Sequence, residues 1–408
     1  MEKNPASNMG VVTSGAPDTK LCGKKFSKLA IGTCAVLTLV GVVAWIYQVV
    51  TGLTVTGMSN ANSWGTYIIM FMFFVGLSAG GLIVASSAHV FNIAAFKKVA
   101  LPAVITSTVS ICLAALFVLI DLGGFVKVWR LFTGPNFASL LMWDVCVIFV
   151  YLVINILDIV FITRGDERKV NVLSRFALPV AILVHSVTAW IFGLQIARTW
   201  YTAIMAPIFV ASALDSGMAL LLLGLMVLEA KDLFVVGEKL FKSLAGLLAT
   251  FIAVDAYLIG CELLTMGYPG AGEAAALTVM TSGATAPFFW FEVIFGLFLP
   301  FVVLVFAKNR EKRGLIILSS VLVILGVLCK RIWLLLTAFA APYAAGSAIV
   351  PAYALAGNAL TFGGVGAFYV PTAIELIIVV GVLALGCLAF MVLSNCLMGG
   401  NKKEEPKA

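Results

Sequence analysis

The sequence predicts an all-helical, polytopic membrane protein with ten transmembrane helices. Three observations lead there. Of the 408 residues, 62% are hydrophobic and 11% charged, against about 45–50% and about 25% in soluble domains. The apolar residues fall in repeated, nearly charge-free runs of about 20, enough for a helix to cross roughly 30 Å of hydrocarbon. The basic residues between those runs alternate in abundance from one loop to the next. This pattern excludes a soluble globular domain, a disordered chain and a disulfide-stapled fold.

In chain order, 1–28 is a polar N-terminal segment, 29–398 the membrane domain and 399–408 a polar tail. The spans are read at 29–50, 66–92, 100–121, 140–162, 176–196, 206–228, 243–265, 286–307, 314–337 and 371–394. The first is too long and too uniformly apolar for a cleavable signal peptide and is taken as a retained helix. Of the 26 Lys and Arg, 21 lie in the N-terminal segment, in the loops after even-numbered spans and in the tail. The other five are Lys127, Arg130, Arg198, Lys330 and Arg331. By the positive-inside rule both termini are cytoplasmic and the chain sits in the cell's inner membrane. The net charge of +7 is thereby a topology signal rather than a sign of nucleic-acid binding. The outer loops differ in character: 51–65 carries no charge and 335–370 is long and apolar, so a partner or a cap is expected to cover them.

The eight cysteines are scattered singly, without a CxxC, CxxCH or four-cysteine cluster. No iron–sulfur, c-type haem or zinc site is therefore expected in this chain, and no metal. Ionisable residues inside spans are costly and are functional candidates by default. Asp121 closes the third span and Asp144 lies near the outer start of the fourth. His185 sits about ten residues into the fifth, and Asp215 about nine into the sixth. Asp255 and Glu262 occupy the seventh. Glu292 and Glu375 lie in the outer halves of the eighth and tenth, and Lys330 and Arg331 in the ninth. These polar groups concentrate in the outer half, so a site or proton path is expected to open there. Lys330 and Arg331 are expected to pair with carboxylates of spans 7, 8 or 10. A mid-span histidine with an ordinary pKa near 6.5 suits proton exchange. His89, the second histidine, belongs at the inner end of span 2, too far in depth from His185 for the two to share a haem iron. The cluster Gly76-Leu77-Ser78-Ala79-Gly80-Gly81 permits close helix packing, and Ser216-Gly217 can do the same.

Trp64-Gly65-Thr66-Tyr67 leads into that small-residue cluster. Arg130, Pro135-Asn136, Ser139 and Met142-Trp143-Asp144 follow. Then come His185-Ser186-Val187-Thr188-Ala189-Trp190, Arg198-Thr199-Trp200-Tyr201 and Ala206-Pro207. In order and spacing these resemble the NrfD/PsrC family, the membrane subunits of polysulfide-reductase-like complexes. The ten-span form looks like that of DsrP-like, Qrc-type and alternative-complex-III-type assemblies. The resemblance is carried by spans 2 to 6; spans 7 to 10 match in number and length. It implies two four-helix bundles, spans 2–5 and 6–9, flanked by spans 1 and 10. It implies a cofactor-free subunit that binds quinone or menaquinol in the first bundle, in the outer half of the bilayer. Electrons would be exchanged with a ferredoxin-like iron–sulfur subunit on the outer face, beside a further catalytic subunit, either a molybdopterin enzyme or a multihaem cytochrome c. His185 matches the family's mid-helix histidine. Ile191 stands where some relatives carry an acidic residue, so any paired carboxylate comes from elsewhere.

On this reading His185, Asp121 and Asp144 are the catalytic relay. His185, Trp190, Trp143, Met142 and Arg130 bind the quinone, Asp215, Asp255 and Glu262 are proton-path candidates, and membrane lipid surrounds the chain. The rival class is a secondary transporter or proton-conducting channel. Its midplane sites use broken helices, and here Pro102, Pro179, Pro207, Pro287 and Pro371 are read mostly at span starts, with Pro300 the main internal break.

Overall fold

The computed structural model describes residues 26–59, 62–195, 201–268, 273–340 and 369–398. Ten helices are long and apolar enough to cross a membrane. They are α1 (Lys28–Thr51), α2 (Thr66–Val90), α3 (Ala100–Asp121), α4 (Leu140–Thr163), α5 (Glu167–Gly193), α6 (Met205–Ala230), α7 (Glu238–Gly267), α8 (Ala286–Val305), α9 (Arg313–Ala340) and α10 (Ala373–Met398). Among the described residues there is no strand. The chain is an integral membrane protein of many passes. The face at which the even-numbered helices begin is called the upper face below.

Helices α2, α3, α4 and α5 pack cyclically, each on the next and α5 back on α2. Helices α6, α7, α8 and α9 close a second ring in the same way. The expected pair of four-helix bundles is present. The rings meet where α2 and α5 pack on α6 and α2 packs on α9, while α1 and α10 pair with each other and α10 leans on α3. Helix α2 is therefore covered on every side, whereas α1 turns nearly all of its apolar surface outward, as a lipid-facing helix does.

Glycines set the closest approaches. Gly80 of α2 and Gly217 of α6 touch backbone to backbone across the seam between bundles, and Gly41 meets Gly381 between α1 and α10 in the same manner. A Cβ on Gly41 would lie 2.6 Å from the Gly381 Cα. Within the second bundle, a Cβ on Gly296 would lie 2.7 Å from Gly326. In a membrane no hydrophobic drive draws helices together, so such close van der Waals packing carries much of the association. Both small-residue clusters expected to pack, at 76–81 and 216–217, do so.

Two boundaries differ from the sequence reading. Helix α5 starts at Glu167 rather than near 176, which puts Pro179 inside the helix rather than at its start. The extra turns are polar and basic, so hydropathy misses them, yet Asp166 caps them by accepting from the Lys169 N–H at 3.2 Å. Lys169 also pairs with Asp166 and holds its carboxyl below the usual range. Helix α7 likewise starts at Glu238, ahead of 243. In α8 the break at Pro300 takes a specific form. Residues Glu292–Phe298 form a π-helical segment just before it. Proline lacks an N–H and its ring crowds the carbonyl four residues back, and the wider turn relieves both.

The glycine seam is open to a direct test. Gly217→Ala should cost about 1–3 kcal/mol through overpacking and lower the thermal unfolding midpoint of the purified protein. Gly32→Ala, where a new Cβ meets nothing within 4 Å, should leave the midpoint unchanged or slightly raised.

Candidate functional site

In the first bundle His185 is fully buried, and its Nδ1 lies 3.1 Å from the Ala181 carbonyl one turn below. In the tautomer that donates Nδ1–H to that carbonyl, Nε2 is the basic atom. Nε2 has no hydrogen-bond partner of good geometry, although it faces the Val75 and Gly76 carbonyls of α2. Helix α5 ends eight residues further on, at Gly193, so His185 lies about 12 Å below the upper end at about 1.5 Å per residue. One turn above it, Thr188 donates to the Asp144 carboxylate at 2.6 Å. His185, Thr188 and Asp144 thus share the upper half of the first bundle.

The other first-bundle candidates are placed differently. Met142 is buried and Trp190 half-buried against the core. Trp143 is exposed, with its indole N–H donated to the Phe137 carbonyl at 2.6 Å. Arg130 is exposed on a short helix, Arg130–Thr133, beside the Trp129 ring. Asp121 ends α3 near a separate upper network in which Tyr67 donates to Gln48 at 2.5 Å and Tyr369 to Glu375 at 2.5 Å. No hydrogen bond joins Asp121 to His185 or Asp144 among the described residues. The Arg198-Thr199-Trp200 motif and most of the 335–370 loop lie outside those residues.

The second bundle holds a buried charge cluster. Successive helical residues point about 100° apart, so Lys330 and Arg331 part company. Lys330 reaches both Asp255 carboxylate oxygens, at 2.8 and 2.9 Å, and Glu292 at 3.4 Å. Glu292, first residue of the π segment, also accepts from the Trp333 indole at 2.5 Å. This bears out the expected pairing of Lys330 with spans 7 and 8. Arg331 departs from it. Its guanidinium donates to the Ser212 hydroxyl at 2.7 Å and stacks over Phe209 at 3.9 Å, toward the seam. Asp215 lies nearby with both carboxylate oxygens buried and unpartnered. Glu262, nearer the upper end of α7, accepts from Thr202 at 3.0 Å. A narrow cleft, open at its mouth, runs from Met266, Met280 and Thr337 near the upper end down to Lys330 and Arg331.

The two bundles are joined at this depth. Gly76, which faces His185, also sits beside Arg331 and Ser216, whose nearest atoms would lie 3.8 Å from an added Cβ. Above it, Trp64, Phe192 and Phe209 form an aromatic series with centroids 5.5 and 6.2 Å apart, ending on Arg331. Sequence reading named neither Thr188 nor Ser212 as site residues, nor the buried Tyr151 hydroxyl that bonds Ser78 and Ser107 at 2.9 and 2.8 Å. Hydroxyls are cheap to bury when they bond the helix backbone, so single positions carry no signal.

The chain matches the family described as polysulphide reductase, NrfD, over residues 54–342. It is 33% identical to a putative dimethyl sulfoxide reductase membrane subunit of Halobacterium salinarum, over 88% of this chain and 89% of that protein. It is 29% identical to an Hdr-like menaquinol oxidoreductase integral membrane subunit of Archaeoglobus fulgidus, over 88% and 90%. A polysulfide reductase chain from Wolinella succinogenes is 26% identical over 68% and 94%. The chain belongs to the NrfD family.

Breaking the Lys330 pair should be costly, because removing one partner of a buried ion pair strands the other charge. Asp255→Asn should destabilise the chain by about 3–5 kcal/mol. The double substitution Asp255→Asn with Lys330→Met should recover part of that loss. Chemical unfolding of the wild type and both variants in one detergent measures both terms.

Proposed function

We propose that this NrfD-family chain is the membrane subunit of a quinone-linked redox complex, and that it handles quinone or menaquinol beside His185. The observation that carries the reading is a fully buried histidine whose Nε2 has no hydrogen-bond partner of good geometry, one turn below a carboxylate that Thr188 holds. Family membership and relatives named as reductase and menaquinol oxidoreductase membrane subunits support it.

Oxidation of a quinol releases two electrons and two protons. With its own proton on Nδ1, neutral His185 accepts one hydroxyl proton at Nε2, passes it on toward the upper face and then accepts the second. Asp144, through Thr188, supplies the next polar step toward the upper face, and Asp121 lies further up near Glu375. Met142 and Trp190 provide apolar wall, while Arg130 and Trp143 lie toward the rim, where an entering head group passes. The electrons leave to a ferredoxin-like iron–sulfur subunit on the upper face and then to a catalytic subunit. The chain itself uses no haem or metal. His89 hydrogen-bonds Asn171 at the lower end of α2, far in depth from His185, which supports this. In this orientation the upper face is the outer one and both termini are cytoplasmic. The basic loops at the lower face support that assignment.

The π segment at Glu292 and the carboxylates around Lys330 favour a second activity in the same subunit, proton conduction through Asp215, Asp255 and Glu262.

His185→Gln in the assembled complex provides the test. Quinol-linked turnover should fall by roughly 10²–10⁴, the usual contribution of a positioned acid–base group, with subunit stoichiometry unchanged. Full turnover in a fully assembled variant would remove His185 from the mechanism.

A further inference from the structure

Arg331 is the unusual residue of the second bundle. It is completely buried, yet no carboxylate lies within ion-pair distance of it among the described residues, because both ion pairs of the cluster are made by Lys330. Only Nη2 is used, on Ser212. Nε and Nη1 have no partner. A guanidinium has five donors and no acceptor, and leaving such donors unmet in a low-dielectric interior is expensive. Arg331 lines the cleft described above.

The remaining walls of the cleft are mostly apolar; Lys330, already paired with Asp255, and Glu262 and Thr337 are the other polar residues on it. Phe209 covers one face of the guanidinium, and Trp333, with its indole held by Glu292, stands alongside. Met205, Met266 and Met280 complete the sides. The space in which a water can be centred is about 40 Å³, room for a few waters at about 10–15 Å³ each. Unbranched thioether chains re-pack readily around an incoming ring or chain. An apolar wall with one strong, planar donor fork at its base selects an apolar body that ends in an acceptor oxygen.

We propose that this second-bundle cleft is a binding site for an apolar molecule bearing a carbonyl or carboxylate oxygen, with that oxygen held by Arg331. A quinone-type ring and a lipid carboxylate share this chemistry. The site is distinct from the face of His185 and does not depend on the role given to that residue. It lies across the seam, where Gly76 separates Arg331 from the first bundle.

The experiment is equilibrium binding to the purified full-length chain in nanodiscs, with menadione as the quinone probe and palmitate as the carboxylate probe. Four proteins are compared: wild type, Arg331→Met, Met280→Trp and His185→Gln. Met280→Trp fills the cleft while leaving the guanidinium in place, so it reports even if Arg331→Met fails to fold. At least one probe should saturate a site whose affinity falls tenfold or more in Met280→Trp and in any folded Arg331→Met, and is retained in His185→Gln. Menadione meeting these conditions identifies a quinone ligand, and palmitate meeting them identifies a lipid. Affinity unchanged in Met280→Trp overturns the proposal, as does saturation by neither probe. Binding lost only in His185→Gln overturns it too, and leaves the first-bundle reading standing.

Discussion

The backbone contact between Gly80 of α2 and Gly217 of α6 sets how closely the two bundles meet. A single methyl on either glycine would collide with the other helix. Because the contact is this close, Gly76, one turn higher, brings the His185 face of the first bundle beside Arg331 and Ser216 of the second. The aromatic series from Trp64 through Phe192 to Phe209 crosses the same seam. The polar groups of both bundles are therefore near neighbours at one depth, because glycines, and not charged or polar side chains, make the closest contact.

Charge burial is the second constraint. Inside a helix stack without bulk water, each ionisable group must find a partner in the protein or remain neutral. Lys330 meets this with two carboxylates, and Glu292 with Lys330 and the Trp333 indole. Glu375 does so with the Gly57 and Thr372 N–H groups and the Tyr369 hydroxyl, tying the entry of α10 to the loop after α1. His185 Nε2, both Asp215 oxygens and two nitrogens of Arg331 are left over. Single atoms of Asp121, Asp158, His89 and several hydroxyls are also unpartnered among the described residues, so it is the grouping of His185, Asp215 and Arg331 about the seam between bundles that singles them out.

Much of this was legible in the sequence, for identifiable reasons. The span count follows from long apolar runs, and the bundle pairing from a family resemblance carried by short motifs in order. Lys330 was expected to find carboxylates, since a buried ammonium must. That Arg331 would turn away could not be read, because adjacent helical residues diverge and the choice depends on which neighbour each helix offers. The start of α5 was misplaced because its first turns are polar, and hydropathy reports the membrane, not the helix. Arg130 and Trp143 were grouped with His185 by motif order, whereas both are exposed in the fold. The hydroxyl partners Thr188 and Ser212 are visible only once helices are set side by side.

Quinone handling beside His185 requires the ring to meet the first bundle at the α2–α5 face. Photolabelling of the assembled complex with an azidoquinone, followed by peptide mapping, tests it most directly. Covalent label is expected on peptides covering 72–81 and 181–192, competed away by unlabelled quinone. Competed label that is absent from both peptides would contradict that placement.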